Sequence, residues 1–263
     1  ETGVNYKDYL TREFTKNIFQ KRLNRILREQ NTPLFSISVG TQDLTDNEEM
    51  YYASAHVKED DFERGIKFLL TEIEKVKQNG FVEDELKLAK KDKLLSLEIS
   101  LTQKNTTKSR DLLDEYKSHF LEKEMVSGID YEFELAKQVI KTIKLEDINN
   151  FFLKFYQPDD RIILIKGPEK NKDLITKEMF LNYESEIAKT KTLKADFTLA
   201  NKKLISKKLT GSKIVKEIKY QNLDITELHL ANGVKVFLKP TKFKEKITAS
   251  KVSGKVRLIS EYV

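Results

Sequence analysis

The chain has no cysteine and no tryptophan, and only four prolines, nine glycines and three histidines in 263 residues. The missing cysteine excludes disulfides, thiolate zinc centres and cysteine nucleophiles, and it leaves the compartment open. No apolar run approaches the roughly 20 residues that a membrane-crossing helix needs. No Gly-rich loop follows a strand pattern, so a phosphate-cradling site has no support. No serine sits in a nucleophile elbow or a triad context. The N-terminal residues Glu1-Thr2-Gly3-Val4-Asn5 have neither an initiator methionine nor a signal-peptide pattern, and they read as a cut inside a longer chain.

What is present describes a folded, charged protein. Hydrophobic residues make up 39% of the chain and aromatics 10%, enough for one large or two small cores. The net charge of +6 conceals an asymmetry. Residues 1–160 hold 25 Lys+Arg against 31 Asp+Glu, whereas residues 161–263 hold 23 against 11. The basic second part has few aromatics among its lysines and no nucleic-acid motif, so it reads as a solvated linker and not as a nucleic-acid surface.

The stretch around which the pattern is organised is residues 60–101. Phe62, Ile66, Leu69, Leu70, Ile73 and Val76 recur at steps of three and four and define one helix face. Asp60 or Asp61 is placed to cap its start and Gly80 to end it. A second helix carries Leu86, Ala89, Leu94, Leu97 and Leu101. Before this pair, residues 6–30 read as a helix with Leu10, Phe14, Ile18, Leu23 and Leu27 on one side, stopped by Pro33. Phe35–Gly40 and Glu49–Val57 read as two antiparallel strands joined by a polar turn over Gly40–Asn47. After it, Asn105–Lys108 breaks the chain before a helix with Leu112, Leu113, Tyr116, Phe120 and Leu121. Gly128-Ile129-Asp130 forms a capped turn into a helix through Ile143, and Leu145–Tyr156 forms another. Arg161–Pro168 is a short apolar run of the kind expected for a strand covered on both faces. The expected class is α+β, with helices packed on one face of a small antiparallel or mixed sheet.

Beyond Pro168 the texture changes. Met179–Ala188 is a helix pattern and Lys189–Ile218 reads as a linker. Glu227–Pro240 is a hairpin whose Asn232-Gly233 supplies the positive φ a tight turn needs. Ile247–Ser250 and Val256–Ile259 are candidate further strands. The expected layout is an α+β domain over 1–168 that lacks its first strand, a helix and basic linker over 169–222, and the truncated start of a next domain over 223–263. Unpaired strand edges in the last segment are expected to invite self-association.

Several runs carry a family resemblance. Gly80-Phe81-Val82-Glu83-Asp84-Glu85-Leu86 with Ala89-Lys90, Arg22-Leu23 with Leu27-Arg28-Glu29, Ile143–Phe155 with Leu145-Glu146-Asp147-Ile148, and Leu230-Ala231-Asn232-Gly233-Val234-Lys235-Val236 occur in one order. Together they resemble the M16 zinc metallopeptidases, the pitrilysin, insulysin and processing-peptidase family. The resemblance implies repeated α+β domains paired into two bowl-shaped halves that enclose a peptide. It implies zinc on an inverted H-x-x-E-H helix in the first domain of the parent. This chain resembles the second domain of the first half, the linker, and the first strands of the third domain. The implied partners are the remaining domains of the same polypeptide and a peptide or protein substrate.

The chemistry-bearing residues fit a non-catalytic role. A catalytic zinc takes three protein ligands in one constellation. His56, His119 and His229 lie far apart in sequence, on a strand, a helix and the hairpin, and each reads as a surface or half-buried side chain. The chain has no H-x-x-E-H motif, so this fragment is expected to be inactive, with no catalytic, cofactor or metal residues of its own. Glu83, Asp84 and Glu85 complement a helix N-terminus. In the resemblance, Arg28 matches the family's substrate-carbonyl arginine, but Phe35 stands where a tyrosine follows, which removes the donating hydroxyl. Arg28 then reads as a charge at a helix C-terminus. Tyr51-Tyr52 and Phe151-Phe152 read as packing. The alternative to a peptidase domain is a domain of a zinc-free M16-like structural protein.

Overall fold

The structure is a computed structural model, and it describes residues 3–28, 31–45, 48–59, 61–122, 126–156, 161–169, 176–192, 210–240, 247–248 and 261–262. The chain divides into two units. The first comprises Glu1–Leu97 and Ser118–Leu199, the second Glu98–Lys117 and Ala200–Val263.

In the first unit the centre is α1 (Gly3–Ile26), not the helix pair over 60–101. Leu10, Phe14, Ile18 and Leu23 are buried as their spacing requires, and Tyr6, Thr11, Thr15, Phe19 and Arg22 are buried beside them. Two adjacent stripes are therefore covered, because α1 lies between the sheet and the helices α5 (Ile129–Thr142) and α6 (Leu145–Phe155). The helix ends at Ile26, short of the Pro33 stop. A turn over Leu27–Arg28 follows, and Asn31 takes a positive φ of 68°.

The sheet of this unit pairs β1 (Leu34–Thr45) with β2 (Glu48–Val57), antiparallel, with Ile37 opposite Ala55 and Gly40 opposite Tyr52. The polar stretch after Gly40 is strand, not turn. Backbone bonding carries the ladder through Thr45 with no apolar side chain required, which hydropathy does not register. Helices cover one face: α1 packs on β1, and α2 (Phe62–Asn79) packs on β2. Gly65 makes the second contact possible, since a Cβ there would sit 2.5 Å from the Val57 side chain. Gly80 ends α2 with φ +68°, and its N–H donates to the Val76 carbonyl. Of the two candidate caps, Asp61 makes no side-chain cap bond and instead accepts from Arg64 at 3.0 Å, while Asp60 lies outside the described residues. Likewise α5 starts from Gly128 at φ 74° with Asp130 inside its first turn, so that turn has no side-chain cap.

Helix α3 (Glu83–Thr102) leads through a short 3-10 turn (Lys104–Thr106) to α4 (Ser109–Glu122), as the polar break at 105–108 predicts. Leu113, Tyr116, Phe120 and Leu121 of α4 are exposed. Arg161–Pro168 is not a strand. Among the described residues no strand pairs with it, and Ile162 and Leu164 are 92% and 73% exposed. An apolar run becomes a covered strand only when neighbours satisfy its backbone. Helix α7 (Lys177–Lys189) packs on α2, capped by Thr176, whose hydroxyl accepts from the Met179 N–H.

The second unit holds a three-stranded antiparallel sheet, β3 (Ile214–Tyr220), β4 (Ile225–Leu230) and β5 (Lys235–Leu238), in that order. The hairpin turns at Asn232-Gly233, with Gly233 at φ 84°. Strand β3 falls inside the stretch that reads as linker; its side chains are mostly exposed, so its sequence lacks the alternation of a half-buried strand. Ile247–Thr248 (β6) pairs with Glu261–Tyr262 (β7); the candidate strand Val256–Ile259 lies outside the described residues.

Candidate functional site

The three histidines occupy separate settings. His56 is an exposed residue of β2 whose ring meets Phe35 edge-on at 5.7 Å. His119 is exposed on α4. His229, in the other unit, lies on β4 with Nε2 2.7 Å from Glu227 Oε1. Among the described residues no three His, Asp or Glu side chains form a group that could hold a metal ion. Among the described residues the three histidines are dispersed and do not converge on a zinc site of the M16 kind. Arg28 is exposed in the turn after α1. Phe35 falls at the bulge between Leu34 and Ser36, which turns it outward to 66% exposure.

The carboxylates at the start of α3 divide. Glu83 is exposed and Asp84 half-buried, but Glu85 is buried and does more than complement a helix dipole. Its Oε1 and Oε2 accept from Arg22 Nε at 2.9 Å and Nη2 at 2.6 Å, and Oε2 also accepts the Val82 N–H at 2.9 Å. Arg22 in turn reaches the Gly80 carbonyl at 3.4 Å and lies over the Phe81 ring at 5.0 Å. Asn149 of α6 closes the same corner, its Oδ1 accepting the Phe81 N–H at 2.8 Å. One buried charge pair thus joins α1, the α2–α3 turn and the start of α3. The signal in the sequence is Arg22 itself: it stands four residues after Ile18 on an apolar stripe, where a cation needs a buried partner.

The face of the β1–β2 sheet opposite the helices is exposed. It presents Ser36 opposite His56, Ser38 opposite Ser54 and Gly40 opposite Tyr52. The two serine hydroxyls are 2.8 Å apart. Tyr52 lies across Gly40, where a Cβ would come within 2.6 Å of its ring. The serines form a short polar strip flanked by His56 and Tyr52. On the covered face Tyr51 packs against Phe151 and Phe155, and Phe152 packs against Phe19 and Phe81, so Tyr51, Phe151 and Phe152 are packing residues, whereas Tyr52 lies on the open face. Burial pushes the Tyr51 phenol well above its ordinary range, with Arg12 opposing and Glu49 adding to the shift.

A groove of about 360 Å³ lies beside Asn31, Pro33, Arg64, Lys67 and Phe68. Its cations are committed: Arg64 bonds Asp61 and the Asn31 carbonyl, and Lys67 bonds Glu63. In the second unit, Glu227 is buried and gathers Tyr220 Oη at 2.6 Å, His229 at 2.7 Å and Lys235 Nζ at 3.6 Å. The Tyr220 and His229 hydrogen bonds hold the Glu227 carboxyl below its usual range. This cluster fastens three strands, and no sequence motif announces it.

Helices on one face of a small antiparallel sheet define an α+β domain of the kind repeated in M16 peptidases. The sequence matches no family model. It is 25% identical over 249 residues to an Arabidopsis thaliana protein named zinc protease PQQL-like, covering 92% of this chain and 23% of that protein. The fold is that of the periplasmic protease PqqL from Escherichia coli, with a TM-score of 0.68, 17% identity, and coverage of 93% of this chain and 27% of that one. A Yersinia pestis protein described as a predicted insulinase family protease shares it at a TM-score of 0.54 and 10% identity, over 71% of this chain and 40% of that one. The chain is thus M16 peptidase-like, and it spans about a quarter of the length of the zinc protease relative and of PqqL.

Proposed function

We propose that this chain is a non-catalytic domain segment of an M16-like zinc metalloendopeptidase and that it forms part of the wall of a peptide-enclosing chamber. The observation that carries the reading is a similarity over 92% of this chain to a protein named as a zinc protease, in a chain whose own donors are dispersed. Zinc chemistry belongs, in this reading, to another domain of the polypeptide, which would polarise the scissile carbonyl and activate water there. This chain contributes surface and rigidity. The polar strip of Ser36, Ser38 and Ser54 faces the enclosed peptide, and the Arg22–Glu85 pair holds the helices behind it. The expected domain layout, with a unit over 1–168, a linker over 169–222 and the start of a further domain over 223–263, is part of the proposal.

Zinc content tests the non-catalytic assignment. Purified chain dialysed against a weak chelator is expected to retain no zinc. About one tightly held zinc per chain, the stoichiometry of a formed site, overturns it. For the wall, a photo-crosslinker at Ser54 in the full-length polypeptide is expected to capture an enclosed peptide; failure there, with capture elsewhere in the chamber, removes this face from the wall. The second reading is a zinc-free M16-like structural protein, favoured by the same scatter of histidines. An H-x-x-E-H helix elsewhere in the polypeptide excludes it.

A further inference from the structure

The outer edge of β1 is the side turned away from β2. A strand edge exposes alternate N–H and C=O groups, and any extended chain can pair with them. On β1, among the described residues, one side chain occupies that edge. Gln20 of α1 accepts the Val39 N–H on Oε1 at 2.8 Å and donates Nε2 to the Ile37 carbonyl at 3.1 Å. These are the two backbone groups that a single residue of a parallel neighbouring strand would engage, one with its N–H and one with its C=O. An antiparallel neighbour needs them as well. The second Nε2 hydrogen goes to Asn24 Oδ1 at 2.9 Å, which fixes the orientation of the carboxamide.

We infer that Gln20 is a strand surrogate that closes the outer edge of β1 and so prevents β1 of one copy from pairing with β1 of a second copy of this chain. The excluded partner is argued from β1 itself. An edge strand is self-complementary about a two-fold axis, which yields antiparallel pairing. Residues 34–45 read LFSISVGTQDLT, with no proline, one charge and several β-branched side chains, the composition that favours strand stacking. Only the middle of the strand is plugged, and any continuous pairing must cross Ile37–Val39. The inference goes beyond the chamber wall proposed above, since it concerns the edge and not the face of the sheet, and it holds whether or not the parent is a peptidase.

The test uses the whole chain, whose lack of cysteine permits a clean crosslink. Thr41→Cys, on the same outer edge, reports β1–β1 contact between copies as a disulfide dimer under mild oxidation. Adding Gln20→Ala is expected to raise the dimer yield at least tenfold. Gln20→Glu keeps the acceptor for Val39 but turns a carboxylate on the Ile37 carbonyl, and it is expected to give an intermediate yield. In the wild-type chain the Val39 amide is expected to exchange at least tenfold more slowly than the Thr41 amide. Equal dimer yields with and without Gln20 overturn the inference. If Gln20→Ala does not fold, Gln20→Glu and the wild-type exchange rates decide, and a Val39 amide that exchanges as fast as Thr41 overturns it.

Discussion

At the scale of single residues, Arg22 and Glu85 matter more than any histidine. Both are under 10% exposed, and their charges satisfy each other and the turn between α2 and α3. Removing one partner leaves the other buried and unpaired, which costs about 3–5 kcal/mol. Glu85→Ala is therefore expected to lower stability by about that amount in urea unfolding. Replacing both residues with apolar ones of similar volume should cost clearly less, because no lone charge remains. Glu227 offers a pH test. Its folded-state pKa is depressed, first by Tyr220 and then by His229. Its contribution to stability is thus present above the normal carboxylate range and is lost as pH falls through the depressed value. Amide exchange in β3 and β4 is expected to accelerate on acidification through that window, and Glu227→Gln should abolish the pH-dependent part.

At the scale of elements, helix existence is read well from periodicity, because an amphipathic helix sets its apolar residues on one face, buried in every helix but α4, whose apolar residues are exposed. All seven α-helices described here correspond to periodic runs. Strands were read less evenly. The Asn232-Gly233 turn marks its hairpin directly. By contrast, β3 and the distal half of β1 are stabilised by backbone pairing with the next strand, and their mostly exposed side chains leave no pattern. Arg161–Pro168 shows the reverse error: an apolar, strand-like run that has no paired strand among the described residues. Amides of Ile162–Ile165 are expected to exchange at least tenfold faster than those of Ser36 and Ser38, which lie in the β1–β2 ladder. Protection equal to that of β1 would show that a strand partner is present in solution.

At the scale of the whole molecule, the buried hydrophobic residues among those described all belong to the first unit. They run from Tyr6 to Phe152, with Tyr183 added where α7 meets α2. A polypeptide of residues 1–199 is accordingly expected to melt cooperatively and to keep the α-helical far-UV signal. A non-cooperative melt would mean that the second unit supplies core contacts. The candidate site was legible only in part. The dispersal of the histidines can be counted from the chain, but the polar serine strip depends on which residues a two-stranded ladder sets opposite each other, and that register is a property of pairing.

The sequence by itself determined the helices, the hairpin turn and the family likeness, because periodic burial and positive-φ glycines are local demands written residue by residue. Only the tertiary structure decided that α1 is the centre, that Arg22 meets Glu85 across 63 positions, and that Gln20 closes a strand edge. Those outcomes depend on long-range contacts, in which a side chain is satisfied by a backbone or charge that sequence spacing does not bring near.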